Sequence, residues 1–216
     1  MARNFVSNKD ESVRMFKNNL LHQLSFVHYL TPLVVFGPVV LFFLYKSLFI
    51  QVINPGFVIL FFLLGIFTWT LTEYILHRFV FHYHPTSRLG RRIHFLLHGV
   101  HHDYPRDSRR LVMAPIVSIP LAFFFYFLFY FTVGPVYVSP YFAGMVSGYI
   151  FYDLTHYALH HFNFKSKFWL TLKQHHALHH YQDAGKGFGV STRFWDQVLQ
   201  TMFSKKNNLS DTPNEE

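Results

Sequence analysis

The sequence predicts an all-α integral membrane protein whose four transmembrane helices form two hairpins, with a cytoplasmic helical cap that holds a histidine-rich dimetal site. Three observations predict this fold class. The chain of 216 residues is 51% hydrophobic and only 14% charged. Its apolar residues form four runs that approach or reach the ~20 residues needed to cross a bilayer core. Twelve of the 16 histidines form four short clusters in the polar segments beyond these runs.

The composition excludes several classes of protein. The chain has no cysteine, which excludes disulfides, thiolate zinc sites, iron–sulfur clusters and a cysteine nucleophile. The formal net charge is +8. Because the apolar content is so high, basic flanks of membrane helices explain this charge better than nucleic-acid binding does. We therefore expect no nucleic-acid partner.

The chain divides into an arm, one membrane domain and a tail. Residues 1–29 are predicted to form an amphipathic N-terminal arm, because apolar residues recur there at roughly helical spacing. Residues 204–216 are predicted to be a disordered tail. Asn54-Pro55-Gly56 and Gly134-Pro135 are turns that join the apolar runs in pairs. The single membrane domain, residues 30–203, is therefore predicted to contain two hairpins, with spans at about 30–50, 57–76, 111–133 and 136–152.

The positive charges predict the orientation of the chain. The two hairpin turns contain no Lys or Arg, whereas the three other polar segments carry 18 of the 19 such residues. Positive residues stay on the cytoplasmic side, so both termini and every histidine cluster are predicted to be cytoplasmic. Core helices of a soluble protein are a poor alternative, because four long runs with almost no charge are hard to bury.

The spacing of the clustered histidines predicts a metal site. Residues i, i+3 and i+4 share one face of a helix, and most of these histidines follow that spacing. His77 and His82 are five residues apart, so we expect the helix to end or distort between them. Ten or more histidines predict two ions, because one zinc-like ion takes about four ligands.

Two carboxylates precede clustered histidines by one helical turn. Glu73 lies four residues before His77, and Asp153 lies three before His156. A metal-bound histidine usually donates its other ring N–H to such a group, so both carboxylates are candidate partners of ligands. For Glu73 an ion pair with Arg78 is the alternative. The histidines predicted to have no ligand role are His22, His28, His84, His94, His161 and His175.

Two histidine-rich segments carry a resemblance to a known family. They are Tyr152–His161 and His175–Tyr181, and the second is followed by Gly187–Thr192 and Phe194-Trp195-Asp196. With the first two clusters, they resemble the fatty acid hydroxylase superfamily over roughly residues 57–203, and within it the fatty acid 2-hydroxylase (sphingolipid alpha-hydroxylase) branch. The ten metal ligands that this resemblance implies are His77, His82, His98, His101, His102, His156, His160, His176, His179 and His180.

The resemblance also implies a reaction and its cofactors. The reaction is dioxygen-dependent hydroxylation at carbon 2 of a long acyl chain, free or within a sphingolipid. An inert C–H bond requires a redox-active metal, so we expect two iron ions, although zinc can occupy such a site in purified protein.

Well-known members of the branch carry a fused b-type cytochrome domain, and the residues before the first predicted span are too few for one. We therefore expect a separate electron-transfer protein, a ferredoxin or a b-type cytochrome. For the same reason we favour a bacterial inner membrane over the endoplasmic reticulum.

Two alternatives stay open at this point. The first is a carotenoid-ring or sterol hydroxylase or desaturase with the same centre. The second is a non-catalytic membrane protein that binds or transports metal. Transporters place their ligands near the bilayer midplane, whereas the clusters here lie past the predicted helix ends.

Overall fold

The computed structural model describes residues 5–204, and this part of the chain contains helices, turns and loops but no strand. In chain order the helices are α1 (Asn19–Leu24), α2 (Thr31–Tyr45), α3 (Pro55–Ile75), α4 (Arg88–His94), α5 (Val100–Asp103), α6 (Pro115–Thr132), α7 (Val138–His161), α8 (Lys167–Tyr181) and α9 (Phe194–Val198). Three π-helical segments continue α2, α3 and α4, namely Lys46–Ile50, Leu76–Phe81 and Phe95–Gly99. Apart from Ser204, the predicted disordered tail lies outside the described residues.

Three helices of the described chain are long and apolar enough to cross a membrane: Thr31–Ile50, Pro55–Phe81 and Pro115–Thr132. The second runs beyond its predicted end at residue 76, because the π-helical segment extends it. The third begins later than predicted. Pro115 occupies its first turn, where the fixed φ of proline favours a helix start, and the preceding residues form a bend.

The fourth predicted span, about 136–152, is not among these three helices. It corresponds to α7, whose 24 residues would extend about 36 Å at 1.5 Å per residue. α7 lies at the centre of the helix bundle, where Phe36 of α2, Trp69 of α3 and Phe129 of α6 belong to the same buried core as its own side chains. A helix covered by its neighbours does not need an apolar surface toward lipid, so its sequence carries small and polar residues that lower its mean hydropathy.

The backbones of α3 and α7 approach each other at two glycines. A Cβ added at Gly65 would overlap the carbonyl oxygen of Tyr141, and one added at Gly144 would overlap that of Phe62. Small residues of this kind let membrane helices pack closely. The crossing fixes the end of α3 relative to the end of α7, and both ends carry clustered histidines.

The N-terminal arm is mostly non-helical and lies against residues 103–110. Its only described helix is α1, whose N-terminus is capped by the side chain of Asn18. The hydroxyl of Ser12 donates to Asp107 at 2.6 Å, and the backbone N–H of Ser108 donates to Asp10 at 3.0 Å. Asp107 also accepts from Arg110 at 3.1 Å, with both side chains almost fully buried. Asp107 therefore joins the arm to the rest of the fold.

We expect Asp107→Ala to release the arm. Removing one partner of a buried ion pair costs about 3–5 kcal/mol, and the hydrogen bond from Ser12 is lost with it. Trypsin cleavage after Arg14 and Lys17 should therefore accelerate, as measured by gel electrophoresis of the purified protein in detergent. Glu11→Ala is the matched control, because Glu11 is an exposed acidic residue of the same arm. Equal cleavage rates in the two variants would contradict this role of Asp107.

Candidate metal centre

Five histidines from three parts of the chain form the first cluster. His77 and His82 come from the π-helical segment that continues α3 and from the residue after it. His98 and His102 come from the third π-helical segment and α5, and His179 comes from α8. One ring nitrogen of each can be chosen so that all five atoms lie within 4.8 Å of one another. Side chains separated by up to about a hundred residues in sequence therefore converge on one point.

A second cluster of five histidines lies beside the first. One ring nitrogen of each of its members can again be chosen so that all five atoms lie within 4.8 Å of one another. The members are His101 of α5, His156 and His160 of α7, and His176 and His180 of α8. The two clusters adjoin, since the ring centroids of His102 and His180 are 4.3 Å apart. Adjacent residues on a helix point about 100° apart, which explains why neighbours such as His101 and His102 belong to different clusters.

The helix distortion predicted between His77 and His82 is present. Residues Leu76–Phe81 form a π-helical segment, in which the N–H of His82 donates to the carbonyl of His77 at 3.1 Å. This i to i+5 hydrogen bond brings residues five apart onto the same side of the helix. A regular α-helix would separate the two rings by roughly 140°, so the π-helical turn is what allows both to join one cluster.

The spacing of the ring nitrogens fits metal ligation. In the first cluster, Nε2 atoms are 3.0 Å apart for His98 and His102, and 3.0 Å apart for His82 and His179. In the second, they are 2.9 Å apart for His101 and His156, 2.9 Å for His160 and His176, and 3.1 Å for His176 and His180. Nitrogens about 2.1 Å from a central ion and at right angles to each other would be about 3.0 Å apart.

Hydrogen bonds between the rings cannot pair all the ring nitrogens of the first cluster. Nδ1 of His77 contacts the carbonyl of Phe188, and Nδ1 of His179 contacts that of Lys186 at 2.7 Å. Because a carbonyl only accepts, we assign the proton of both rings to Nδ1, which leaves each Nε2 as a bare lone pair. Both lone pairs face Nε2 of His82, at 3.3 and 3.0 Å. A single N–H can serve only one of them, whereas a cation would satisfy both.

The clustered histidines outside the membrane-spanning helices have lowered pKa values, which favours the neutral form that metal ligation requires. Burial, together with the neighbouring imidazoles, lowers the pKa of His82 to about 3. Burial also lowers the pKa of His179 to about 4, although hydrogen bonding to Lys186 opposes it. Burial and neighbouring imidazoles also lower the pKa of five other clustered histidines well below the ordinary value. These are His98, His101, His102, His176 and His180. Neutral imidazole presents the lone pair that a metal binds.

Glu73 and Asp153 do not make the hydrogen bonds to histidine that their spacing predicted. Glu73 is buried and accepts from the backbone N–H of Val190 at 2.6 Å and from both the N–H and hydroxyl of Ser191. Asp153 accepts from the N–H of Met113 at 3.2 Å. The spacing places both carboxylates on the right helices, but they point to backbone donors that come from elsewhere in the chain. The alternative partner of Glu73 is not used either, since Arg78 donates to the hydroxyl of Tyr74.

Sequence reasoning assigned no role to Asp196, which accepts more hydrogen bonds than any other carboxylate of the site. It is fully buried and accepts from Nε2 of His175 at 3.0 Å, the N–H of Phe188 at 2.9 Å and the N–H of Gly189 at 2.8 Å. Burial alone would raise its pKa, but these bonds and one from Thr201 lower it overall. The available signal was the cluster of glycines before it, which marks a segment where the backbone is tightly packed.

The histidines predicted to have no ligand role lie outside both clusters. His175 points away from the rings of its neighbours and bonds to Asp196 instead. The remaining ones are also absent from the two groups, namely His22, His28, His84, His94 and His161. The ten gathered histidines are thus the ten predicted ligands, and their role as ligands stays a prediction.

Three helices of membrane-spanning length in the described chain, together with ten clustered imidazoles, define an integral membrane protein with a histidine-rich site able to bind metal. The chain belongs to the fatty acid hydroxylase family, whose sequence model matches residues 62–201. The fold agrees with this assignment. A solved structure described as full-length scs7p, with only its hydroxylase domain visible, superposes with a TM-score of 0.81 and 39% identity over 86% of this chain and 70% of that one.

Relatives with assigned activities are similar over much of the chain. The ceramide very long chain fatty acid hydroxylase scs7 of Schizosaccharomyces pombe is 42% identical over 70% of this chain and 46% of its own length. The dihydroceramide fatty acyl 2-hydroxylase FAH1 of Arabidopsis thaliana is 35% identical over 91% of this chain and 82% of its own length. The fatty acid 2-hydroxylase of Rattus norvegicus is 41% identical over 67% of this chain and 40% of its own length.

These relatives show how much of their own length the chain covers, and they bear on the expected location of the protein. The chain spans less than half the length of the fission-yeast and rat proteins. The named relatives come from a yeast, a plant and a mammal, so they give no support to the expectation of a bacterial inner membrane. Membrane insertion itself agrees with the three apolar helices of the described chain.

Proposed function

We propose that this protein hydroxylates carbon 2 of a long acyl chain, free or within a sphingolipid, with two iron ions held by the two histidine clusters. The observation that carries the proposal is the pair of five-imidazole clusters at adjoining positions. The names of the relatives supply the substrate class, since they act on fatty acids, ceramides or dihydroceramides. In the overall reaction, one atom of dioxygen enters the C–H bond and the other leaves as water, with two electrons and two protons from an external carrier.

The chain's own residues hold and shield the centre. The irons would supply the redox chemistry that activates dioxygen, which no side chain of the cluster can supply. Each cluster would hold one ion with up to five neutral nitrogen ligands. Aromatic rings cover the first cluster, with the ring of Phe81 stacked 5.2 Å from His98 and that of Phe188 5.5 Å from His82. Such a cover limits the access of water.

An apolar groove supports entry of the acyl chain from the bilayer. A groove of about 620 Å³ opens between α2 and α6, lined by Val39, Phe43, Phe123 and others. Phe36 and Phe142 line both this groove and a small inner cavity that reaches Trp69. Trp69 contacts Tyr152, whose ring stacks on His156 of the second cluster. Apolar and aromatic side chains thus extend from this groove to His156, which supports binding of the acyl chain along them.

The proposal includes the topology and the electron donor. We propose that α7 is the fourth span, that both termini and the metal centre are cytoplasmic, and that the polar helices after each hairpin form the cap. The charge distribution supports this orientation, because Lys and Arg are absent from the two hairpin turns and positive residues stay on the cytoplasmic side. A separate electron-transfer protein, a ferredoxin or a b-type cytochrome, would supply the electrons.

The test is product analysis with isotopic oxygen. Anaerobically purified protein is loaded with iron, supplied with a chemical reductant, and exposed to ¹⁸O₂ in vesicles that contain ceramide or free fatty acid. We expect 2-hydroxy acyl chains that contain one ¹⁸O atom, identified by mass spectrometry. Protein loaded with zinc is the matched control and should give no product, because zinc has no accessible second oxidation state. Hydroxylation at another carbon, or product formed only from sterol or carotenoid, would contradict the proposal.

A further inference from the structure

One short segment contacts the first cluster through its backbone. The segment of residues 186–191 presents the carbonyls of Lys186 and Phe188 to Nδ1 of His179 and His77. Two ligands on different helices are therefore oriented by groups only two residues apart in the chain. These contacts set the tautomer of both rings and aim their Nε2 lone pairs at the centre of the cluster.

The second cluster lacks matching contacts at three of its rings. Nδ1 of His101, His176 and His180 is buried, and no group of residues 5–204 lies within hydrogen-bond reach of it. The two clusters therefore contain the same number of histidines, but only the first has rings that the 186–191 segment holds through its carbonyls. Partners of the outer ring nitrogen typically change metal affinity by about 10–100-fold.

The 186–191 segment is itself fixed by two buried carboxylates. Asp196 accepts from the N–H groups of Phe188 and Gly189, and Glu73 accepts from those of Val190 and Ser191. Four consecutive backbone N–H groups are thus bound to carboxylates. Glu73 lies on α3 one turn before His77, so the helix that supplies the ligand also holds the segment that orients it.

Two further features make the segment rigid. Thr201 donates from its hydroxyl to Asp196 at 2.6 Å, and its carbonyl accepts from the N–H of Gly187 at 3.0 Å. Gly187 has a φ of +70°, a backbone conformation that residues other than glycine rarely adopt. A Cβ at Gly189 would overlap the carbonyl of Thr192. The segment therefore has little freedom to move its two carbonyls.

We infer that Asp196 and Glu73 are positioning residues that fix the 186–191 segment, and that this makes the two metal sites unequal, with slower metal release from the first cluster than from the second. The two carboxylates act through the Lys186 and Phe188 carbonyls and contact no metal themselves. This inference rests on the proposed two-metal centre. It adds that the centre contains one firmly held and one more exchangeable ion.

The test is the rate of zinc release from zinc-loaded, full-length protein in detergent, followed with excess chelating dye. We expect the wild type to bind two equivalents and to release them in two phases of one equivalent each. His82→Ala should remove the slow phase, and His160→Ala should remove the fast phase, which assigns each phase to a cluster. Asp196→Asn should accelerate the slow phase by about 10–100-fold and leave the fast phase unchanged.

Matched variants separate positioning from a general structural role. Gln197→Ala changes an exposed side chain next to Asp196 and leaves the 186–191 segment intact, so both phases should match the wild type. Thr201→Val removes the hydrogen bonds of the Thr201 hydroxyl with Asp196 and with Tyr74. It should accelerate the slow phase by less than Asp196→Asn does, whereas Thr201→Ser should restore the wild-type rate. If Asp196→Asn does not fold, this threonine pair decides the outcome.

Three results would overturn the inference. They are equal release rates from the two clusters of the wild type, equal acceleration of both phases in Asp196→Asn, and no change in either phase in that variant. A wild-type protein that binds fewer than two equivalents would instead contradict the two-metal centre of the proposed function. The zinc stoichiometry therefore distinguishes failure of the inference from failure of the function on which it rests.

Discussion

His82→Ala is expected to lower the yield of 2-hydroxy product by at least about 100-fold and to remove one of two iron equivalents. His82 lies at the middle of the first cluster, where its Nε2 is close to those of both His77 and His179. Loss of partners outside the ligand set already costs about 10–100-fold in metal affinity or activity, so loss of a ligand should cost more. The iron content of anaerobically purified protein and the product yield are measured together.

His84→Ala is the matched control for this prediction. His84 lies two residues from His82 but outside both clusters, and we expect two iron equivalents and activity within about 2-fold of the wild type, since exposed substitutions away from special features have small effects. His160→Ala should behave as His82→Ala does, because the second cluster depends on it equally. Full iron content and activity in both cluster variants would exclude the assigned ligands.

Gly144→Leu is expected to destabilise the protein by at least about 3 kcal/mol and to abolish binding of metal. Leucine at this position would place its Cβ onto the carbonyl oxygen of Phe62, and overpacking of a filled interior costs about 1–3 kcal/mol even where side chains can adjust. Here the obstacle is backbone, so α3 and α7 must separate. The measurements are the thermal unfolding temperature in detergent and the metal content.

The separation of α3 and α7 reaches the site because each helix ends in ligand candidates. His77 lies at the end of α3 and His156 near the end of α7, so a shift of one helix moves one cluster against the other. Gly37→Ala is the matched control, since its added Cβ would lie 3.8 Å from Leu33, an ordinary contact. We expect its stability to stay within about 1 kcal/mol of the wild type. Equal stability of the two glycine variants would contradict the close crossing.

The sequence predicted the apolar spans well where helices face lipid and less well where they face protein. The spans that begin near residues 30 and 57 agree with Thr31–Ile50 and Pro55–Phe81, because contact with lipid demands a continuous apolar surface. α7 is an exception, because neighbouring helices cover its surface. Its mean hydropathy therefore does not indicate where it lies. Only the packing of the helices shows that it is the central one.

The roles of the carboxylates required the tertiary structure. The sequence spacing places Glu73 and Asp153 one helical turn before histidines. In the structure, however, their carboxylate oxygens accept hydrogen bonds from backbone N–H groups of residues that are distant in sequence. Asp196 had no histidine at helical spacing, yet it receives four hydrogen bonds at the site. A hydrogen bond between distant segments produces no regular spacing of residues within either segment. Sequence periodicity therefore cannot predict it.

By itself, the sequence determined which histidines could act together, because helical spacing and position beyond the apolar runs are local properties of the chain. It also predicted that His77 and His82 need a distorted helix, since five residues exceed one α-helical turn. Only the tertiary structure decided that these histidines divide into two clusters of five. Adjacent residues such as His179 and His180 point about 100° apart, and which partners each one meets depends on the packing of α3, α5, α7 and α8.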